Sequence, residues 1–184
     1  MSFDFSGLRL TTDRLELRAW QIEDVPGLFR LRSNPEVMKY WTVGPYQDLA
    51  QAEKTVVDLM AVNREGSGLE LAVFSEAELI GTATLHGISW PSRRAELGYM
   101  LLPEFQGRGL MHEALVAIVN YGFGELGLNR LEADIDPRNV ASRRSLERLG
   151  FKLEGFMPER WIVEGEVTDT EFFGLVAKDW KINS

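Results

Sequence analysis

Residues 103–114 read PEFQGRGLMHEA, so Gln106, Gly107, Arg108 and Gly109 stand between an apolar stretch and an amphipathic run. Glycine loses the most conformational freedom on ordering, and two of them at a helix start imply that something approaches the main chain closely. A helix start carries unsatisfied N–H groups and the positive end of the dipole, which suits an anion, and Arg108 adds charge. The spacing is not the G-x-x-x-x-G-K-[ST] of nucleotide hydrolases, and His112 stands where a third dinucleotide-type glycine would fall. An anion is implied, but neither ATP nor a nicotinamide dinucleotide. Taken alone, the loop is equally compatible with a plain strand-to-helix turn. A second glycine run, GFGELG (Gly122, Gly124, Gly127), matches G-x-G-x-x-G letter for letter. It ends a helical run and precedes a strand, the reverse of the context that motif needs, and reads as a helix terminus.

DPRNVASRRSLERLGF, residues 136–151, places Asn139, Ser142, Leu146 and Leu149 at i, i+3, i+7 and i+10 of a helix expected from about residue 138. Two polar groups therefore share the stripe that the leucines carry inward, and buried polar groups need partners in backbone, water or ligand. A helix cap at Asn139 and a bond from Ser142 to a carbonyl one turn earlier are the purely structural alternative. Of the carboxylates, Glu96 and Glu104 are nearest in sequence to the glycine loop. Glu96 shares a strand face with Gly98 and Met100 and can accept a proton directly, through water, or serve in an ion pair. Glu104 reads as a solvated turn residue. His86 and His112 lie far apart with no evident ligand partners, read as ordinary polar positions, and no metal site is expected.

The elements that must position these groups follow from periodicity. TDRLELRAW alternates as a half-buried strand, and two helices are expected near residues 21–32 and 47–64. LELAVF, ELIGTATLHGI and RAELGYMLL read as strands, the last running into the glycine loop. A helix follows from about Gly107 to Leu126, then the strand RLEADI, with Asp136 and Pro137 expected as N-cap and first helical residue of the next helix. Two final strands flank Glu164-Gly165, a hairpin turn. The order predicts a single α/β domain over residues 1–184, a sandwich with one mixed central sheet of about seven strands and helices on both faces.

A length of 184 residues with 45% hydrophobic content fits one core. The absence of cysteine removes disulfides, thiolate metal sites and an acyl-cysteine intermediate, so any acyl transfer is expected to be direct. A net charge of -8 argues against nucleic-acid binding, whereas a basic partner suits it. No apolar run reaches membrane-span length and the start lacks a signal-peptide pattern, so no membrane association and a cytoplasmic location are expected.

Together the loop and the later helix resemble the GNAT superfamily of acyl-CoA-dependent N-acetyltransferases, whose loop reads Q/R-x-x-G-x-G/A and whose later helix carries an asparagine. The resemblance covers nearly the whole chain. TDRLELRAWQIEDV, AELGYMLLPEFQGRG, LGLNRLEADIDPRNVASRRSLERLGF and ERWIVEGEVTDTEFFGL look like the RimJ/RimL group, which acetylates protein N-termini. It implies that backbone at Met100, Leu101 and Leu102 holds the pantetheine arm as an added strand. Gln106, Gly107, Arg108, Gly109 and Leu110 would receive the pyrophosphate, with Met111 standing where glycine or alanine is usual, and Asn139 would contact the CoA arm. Many members carry a tyrosine acid where this chain has Leu146. Ser142 matches the serine that the RimL-like group is thought to use instead, and takes that role by resemblance.

Acetyl transfer from a thioester needs a neutral amine, a polarised carbonyl and a proton donor for sulfur. The expected donors are a backbone N–H from residues 100–102 for the carbonyl and Ser142 for sulfur; Glu96 is the expected base. An α-amine of pKa about 7.7 to 8.0 is roughly a tenth neutral near pH 7, whereas lysine at about 10.4 is neutral only at about the 0.1% level or below. The expected reaction is transfer from acetyl-CoA to an amine, most readily a protein N-terminal α-amine of the ribosomal-protein type, in a ternary complex. A small-molecule amine acceptor and a turnover-free acyl-CoA sensor are the alternatives. A larger acyl donor and a homo-oligomer stay open. The rings of Tyr40, Trp41 and Tyr46 are candidates for the acceptor pocket or for packing.

Overall fold

The computed structural model describes residues 3–181. Its chain order is β1 (Arg9–Thr11), β2 (Glu16–Ala19), α1 (Val25–Arg32), α2 (Pro35–Met38), α3 (Leu49–Glu65), β3 (Leu69–Ser75), β4 (Glu78–Ser89), β5 (Arg94–Leu101), α4 (Leu110–Gly124), β6 (Arg130–Ile135), α5 (Val140–Leu149), β7 (Lys152–Val163) and β8 (Glu166–Val176). The strands form one sheet in the order β1-β2-β3-β4-β5-β6-β8-β7. Only β5 and β6 run parallel; every other neighbouring pair is antiparallel.

Strand alternation divides the core into two layers. Leu69, Leu71 and Val73 of β3 and Ala95 and Leu97 of β5 pack against Leu115 and Ile118 of α4 and Leu146 of α5. Ala72 of β3 turns the other way, onto Leu28 of α1 and Val56 of α3. Each buried leucine contributes about 1.5–3 kcal/mol by leaving water, and the two-residue period sends successive ones to opposite helix layers. Met100 of β5 lies on the second face too, with Leu31 of α1 and Met38 of α2.

The expected sandwich is therefore present, with eight strands where the sequence reading counted about seven. The extra one, β1, is three residues long and too short to show alternation. It is held by pairing Leu10 with Leu17 across a tight hairpin. Helix α4 begins at Leu110 rather than near Gly107. Helix α5 begins at Val140 with Asn139 as its N-cap; the expected cap, Asp136, instead accepts from the backbone N–H of Arg138 at 2.8 Å and pairs with its guanidinium. An Asx-type turn at residues 136–138 thus delays the helix start. GFGELG does end α4, and Gly122 lies where a Cβ would come within 2.8 Å of Leu85, so its role there is helix-to-sheet packing. Glu164 and Gly165 both have positive φ, 50° and 87°, as the two-residue turn between β7 and β8 requires.

One break in the sheet positions the groups that follow. Strands β5 and β6 pair only at Arg94 with Arg130, Ala95 with Leu131 and Glu96 with Glu132, then diverge, although β5 continues to Leu101 and β6 to Ile135. Ion pairs of Arg94 and Arg130 with Glu132 hold the closed end. Just beyond it, Glu96 and Asp134 put like charges on the two diverging edges, and the Glu96 charge helps to raise the Asp134 pKa.

Candidate active site

The divergence opens a cleft of about 380 Å³ whose walls include His86, Glu96, Tyr99, Asp134, Asn139 and Ser142. Alternation along β5 assigns these groups to opposite sides. Glu96 and Gly98 share the Met100 face toward α1 and α2, whereas Leu97, Tyr99 and Leu101 face α4 and α5. The gap is thus a passage through the sheet, with carboxylates on one side and hydroxyls on the other.

On the carboxylate side, His86 of β4 is the direct cross-strand partner of Glu96, with Nε2 3.3 Å from Oε1. The hydrogen bond to Glu96 raises the His86 pKa above its ordinary value against the opposing effect of burial; the same bond holds the Glu96 carboxyl below its usual range. His86 is therefore part of the site, a correction to the reading of both histidines as ordinary polar positions. Asp134 moves the other way: burial, then the Glu96 charge, raises its pKa. Its partners are Arg160 Nε at 3.2 Å and Thr170 Oγ1 at 3.4 Å. Arg160 reaches it because the β7 ladder breaks between Met157 and Trp161, around Pro158, which has no N–H to give.

The pairing has a pH consequence. His86 faces Glu96, Glu70 and Asp134; Glu96 faces His86, Arg160, Arg94 and Asp134. The His86 pKa is raised, so the ion pair is present below the reference value of about 6.5 and is lost as pH rises through the higher folded value. The Glu96 pKa is lowered, so the pair persists above about 4.5 and is lost as pH falls through the folded value. Both side chains are roughly two-fifths exposed, which screens the contribution to stability. Protonated His86 also occupies the Glu96 carboxylate, which would make Glu96 a weaker base in its expected role. His86→Gln is expected to raise activity at pH 6 relative to pH 8.5 by about 3- to 10-fold over wild type. Comparing both proteins with the same amine cancels the titration of the amine itself.

On the hydroxyl side, Tyr99 O–H lies 2.7 Å from Ser142 Oγ and 3.2 Å from the Ser142 carbonyl oxygen. Ser142 is buried, in the first turn of α5, and donates its backbone N–H to Asn139 Oδ1 at 3.1 Å. The Asn139 cap uses its carbonyl oxygen and leaves its NH2 group for another partner, at the cleft wall. Leu146, at the usual tyrosine position, is fully buried.

The glycine loop lies at the end of β5, beyond a short turn at Pro103–Phe105. Gly107 and Gly109 have φ of 74° and 77°, a conformation that side chains resist. The first helical bond of α4 runs from Glu113 N–H to the Gly109 carbonyl, and no side chain caps the start. The amides of Leu110, Met111 and His112 therefore have no helical acceptor. Arg108 stacks over Phe105, 5.4 Å from the ring centroid. A second cation was not anticipated: Arg14, from the β1–β2 hairpin, donates to the Arg108 carbonyl at 3.0 Å and to Glu113 at 2.7 Å. Thr12 also donates to Glu113, at 2.5 Å, so the hairpin clamps the loop in place.

Among residues 100–102 the main-chain groups are not equivalent. Leu102 N–H is used by the Ile80 carbonyl of β4 at 2.9 Å, and antiparallel alternation turns Met100 the same way. Tyr99 and Leu101 turn their main-chain groups to the open edge, where the Leu101 carbonyl accepts from Gln106 Nε2 at 3.3 Å. Glu104 is paired with Arg30 at 2.5 Å, outside the cleft. Tyr40 and Trp41 line the cleft, whereas Tyr46 bonds Thr55 and Arg32 and serves packing. The residues that sequence reasoning missed are Tyr99, His86, Asp134 and Arg14. Tyr99 was detectable as the residue next to Met100 on the opposite strand face; the others depend on cross-strand or hairpin neighbours.

A sheet split beside an exposed helix start, with a carboxylate on one side and a hydroxyl pair on the other, agrees with the resemblance to CoA-dependent acyltransferases. The acetyltransferase (GNAT) domain profile matches residues 14–152, and the chain belongs to the GNAT acetyltransferase family. It is 33% identical over 173 residues to the uncharacterized N-acetyltransferase p20 of Bacillus licheniformis, spanning 93% of this chain and 97% of that one. It is 31% identical over 189 aligned residues to the [ribosomal protein uS5]-alanine N-acetyltransferase of Escherichia coli (strain K12), spanning 94% and 93%. Among solved structures, RimL, a ribosomal L7/L12 alpha-N-protein acetyltransferase in complex with coenzyme A, superposes with TM-score 0.85. That match has 23% identity over 92% of this chain and 98% of RimL, a likeness of fold. No helix of the described residues is long and apolar enough to cross a membrane.

Proposed function

We propose that this acetyltransferase moves the acetyl group of acetyl-CoA directly to the free α-amine of a protein N-terminus of the ribosomal-protein type. The observation that carries the reading is the two-sided cleft, with Glu96 and His86 on one face of the sheet and Tyr99 and Ser142 on the other. The donor diphosphate sits on the amides around Gln106, Gly107, Arg108, Gly109, Leu110 and Met111, and Arg14 adds charge beside them. The pantetheine arm lies along the open edge of β5 at Tyr99 and Leu101 and meets the Asn139 amide. The acceptor enters from the Tyr40, Trp41 and Trp161 side.

The amine nitrogen attacks the thioester carbon, and its proton passes to Glu96, directly or through water. The negative charge on the carbonyl oxygen is met by an open-edge N–H of β5. As the tetrahedral intermediate collapses, the carbon–sulfur bond breaks and Ser142 donates a hydrogen bond to the thiolate. A Glu96 held below its usual range is a weak base, which suits an amine already partly neutral at physiological pH. The uS5-alanine relative supports the same acceptor class.

The test is thiol release from acetyl-CoA with matched acceptors: short peptides with free α-amines, the same peptides N-blocked but carrying lysine, and spermidine. The expected kcat/KM for the free α-amine exceeds that for blocked lysine peptides by about 100-fold, the order of the difference in neutral fraction. Preference for lysine or spermidine would overturn the acceptor assignment.

A further inference from the structure

Ser142 is a weak acid, and its hydroxyl has one proton. In the structure that oxygen is 2.7 Å from Tyr99 O–H, whose other neighbours are the Ser142 carbonyl at 3.2 Å and the Ser145 hydroxyl, which itself donates to the Ala141 carbonyl. A carbonyl only accepts, so the bond between Tyr99 and Ser142 can run in two directions on the same heavy atoms. In the first, the phenol donates to the Ser142 carbonyl and Ser142 Oγ–H donates to the phenol oxygen. In the second, the phenol donates to Ser142 Oγ, and the serine proton is free to point into the cleft. Only the second offers a donor to an anion there.

Resting on the acetyl-transfer reading, we propose that Tyr99 is a positioning residue for the sulfur side of the reaction. When thiolate charge develops, its phenolic O–H turns from the Ser142 carbonyl to Ser142 Oγ and frees the serine proton to point toward sulfur. No heavy atom moves, and the ground state keeps every donor satisfied, so the added interaction exists only as the carbon–sulfur bond breaks. The alternative is a relay in which Tyr99 gives up its proton through Ser142. Burial raises the Tyr99 pKa to about 12, against about 8.5 for a thiol, so the proton stays on the phenol by more than three orders of magnitude. Tyr99 therefore acts by orientation, and the thiolate leaves hydrogen-bonded to Ser142. Two further features fit this role. Tyr99 sits on the stretch of β5 that has lost its β6 neighbour, and its ring packs on the α4 and α5 side. The Ser142 backbone is pinned by Asn139, which fixes the carbonyl that receives the phenol at rest.

The experiment is a double-mutant cycle on Tyr99→Phe and Ser142→Ala, with kcat and acetyl-CoA KM measured separately and thermal melts run alongside. The expected results are a loss in kcat of about 10-fold for Tyr99→Phe with KM within about twofold, and a double variant no slower than Ser142→Ala alone. Tyr99→3-fluorotyrosine, which keeps the donor, is expected to retain kcat within about twofold. This variant also separates the hydroxyl's function from any folding defect in Tyr99→Phe. Wild-type kcat in Tyr99→Phe, an additive double variant, or a loss confined to KM would overturn the inference while leaving acetyl transfer intact. Silence of the wild-type enzyme with every amine in the panel would instead bring down the acetyl-transfer reading, and this role with it.

Discussion

Gly109→Asp is expected to raise the KM for acetyl-CoA by about 30- to 100-fold while kcat at saturation stays within about threefold. Gly109 is the N-cap of α4, at φ 77°, and the amides behind it are the proposed diphosphate cradle. With the diphosphate on the proposed cradle, a carboxylate about 5 Å from it would cost about 3 kcal/mol per pair of charges at an effective dielectric constant near 20, less once solvent screens it. Gly109→Ala is the control. It carries the left-handed backbone strain, about 1–2 kcal/mol, without the charge. The difference in KM between the two variants reads the electrostatics, and the melting temperature reads the strain. Equal KM values for the two would show that the anion does not sit on this loop.

Removing the Ser142 hydroxyl is expected to act on the other kinetic constant. Ser142→Ala should lower kcat by about 100-fold with CoA affinity within about threefold, because a donor aimed at developing charge counts mainly in the transition state. Asn139 should show the opposite split, with CoA affinity reduced more than kcat. Since Asn139 also caps α5, Asn139→Ala confounds ligand contact with a cap loss of about 0.5–2 kcal/mol. Asn139→Ser keeps a capping oxygen and removes only the NH2 group, so calorimetric CoA binding to that variant isolates the contact. If Asn139→Ser binds CoA normally, its role is capping alone. If Ser142→Ala keeps full kcat, sulfur departs without that hydroxyl.

The Ser142 and Tyr99 experiments are linked by geometry. Both hydroxyls sit where β5 has no parallel neighbour, and they connect that bare strand to α5. Under the proposed mechanism, with Leu146 buried and apolar, the donor to sulfur is Ser142, a weak acid. In the proposed arrangement the Tyr99 phenol orients the Ser142 hydroxyl and keeps its own proton.

Much of this was legible along the chain. The two-residue period of β3 and β5, the helical period of α4, and the turn chemistry of Glu164-Gly165 are local, and they determined the sandwich and its element order. Gly107 and Gly109 announced a main chain that takes positive φ at a helix start, because that need is written in residue type. Asn139 and Ser142 announced two polar groups at the start of α5, although Asn139 caps the helix, the alternative reading, rather than lying on its stripe. What the tertiary structure alone decided was who faces whom. His86 joined Glu96 through β4–β5 register, and Arg14 reached the glycine loop from a hairpin about a hundred residues away in sequence. Asp134 lies across the gap from Glu96, two residues beyond its partner Glu132, where the parallel strands part after three pairs. Tyr99 met Ser142 because the start of α5 packs over the strand face to which Tyr99 points. Periodicity specifies the face on which a side chain lies, but pairing register and strand divergence are set by the packing of the whole sheet, and the chemistry of this cleft depends on them.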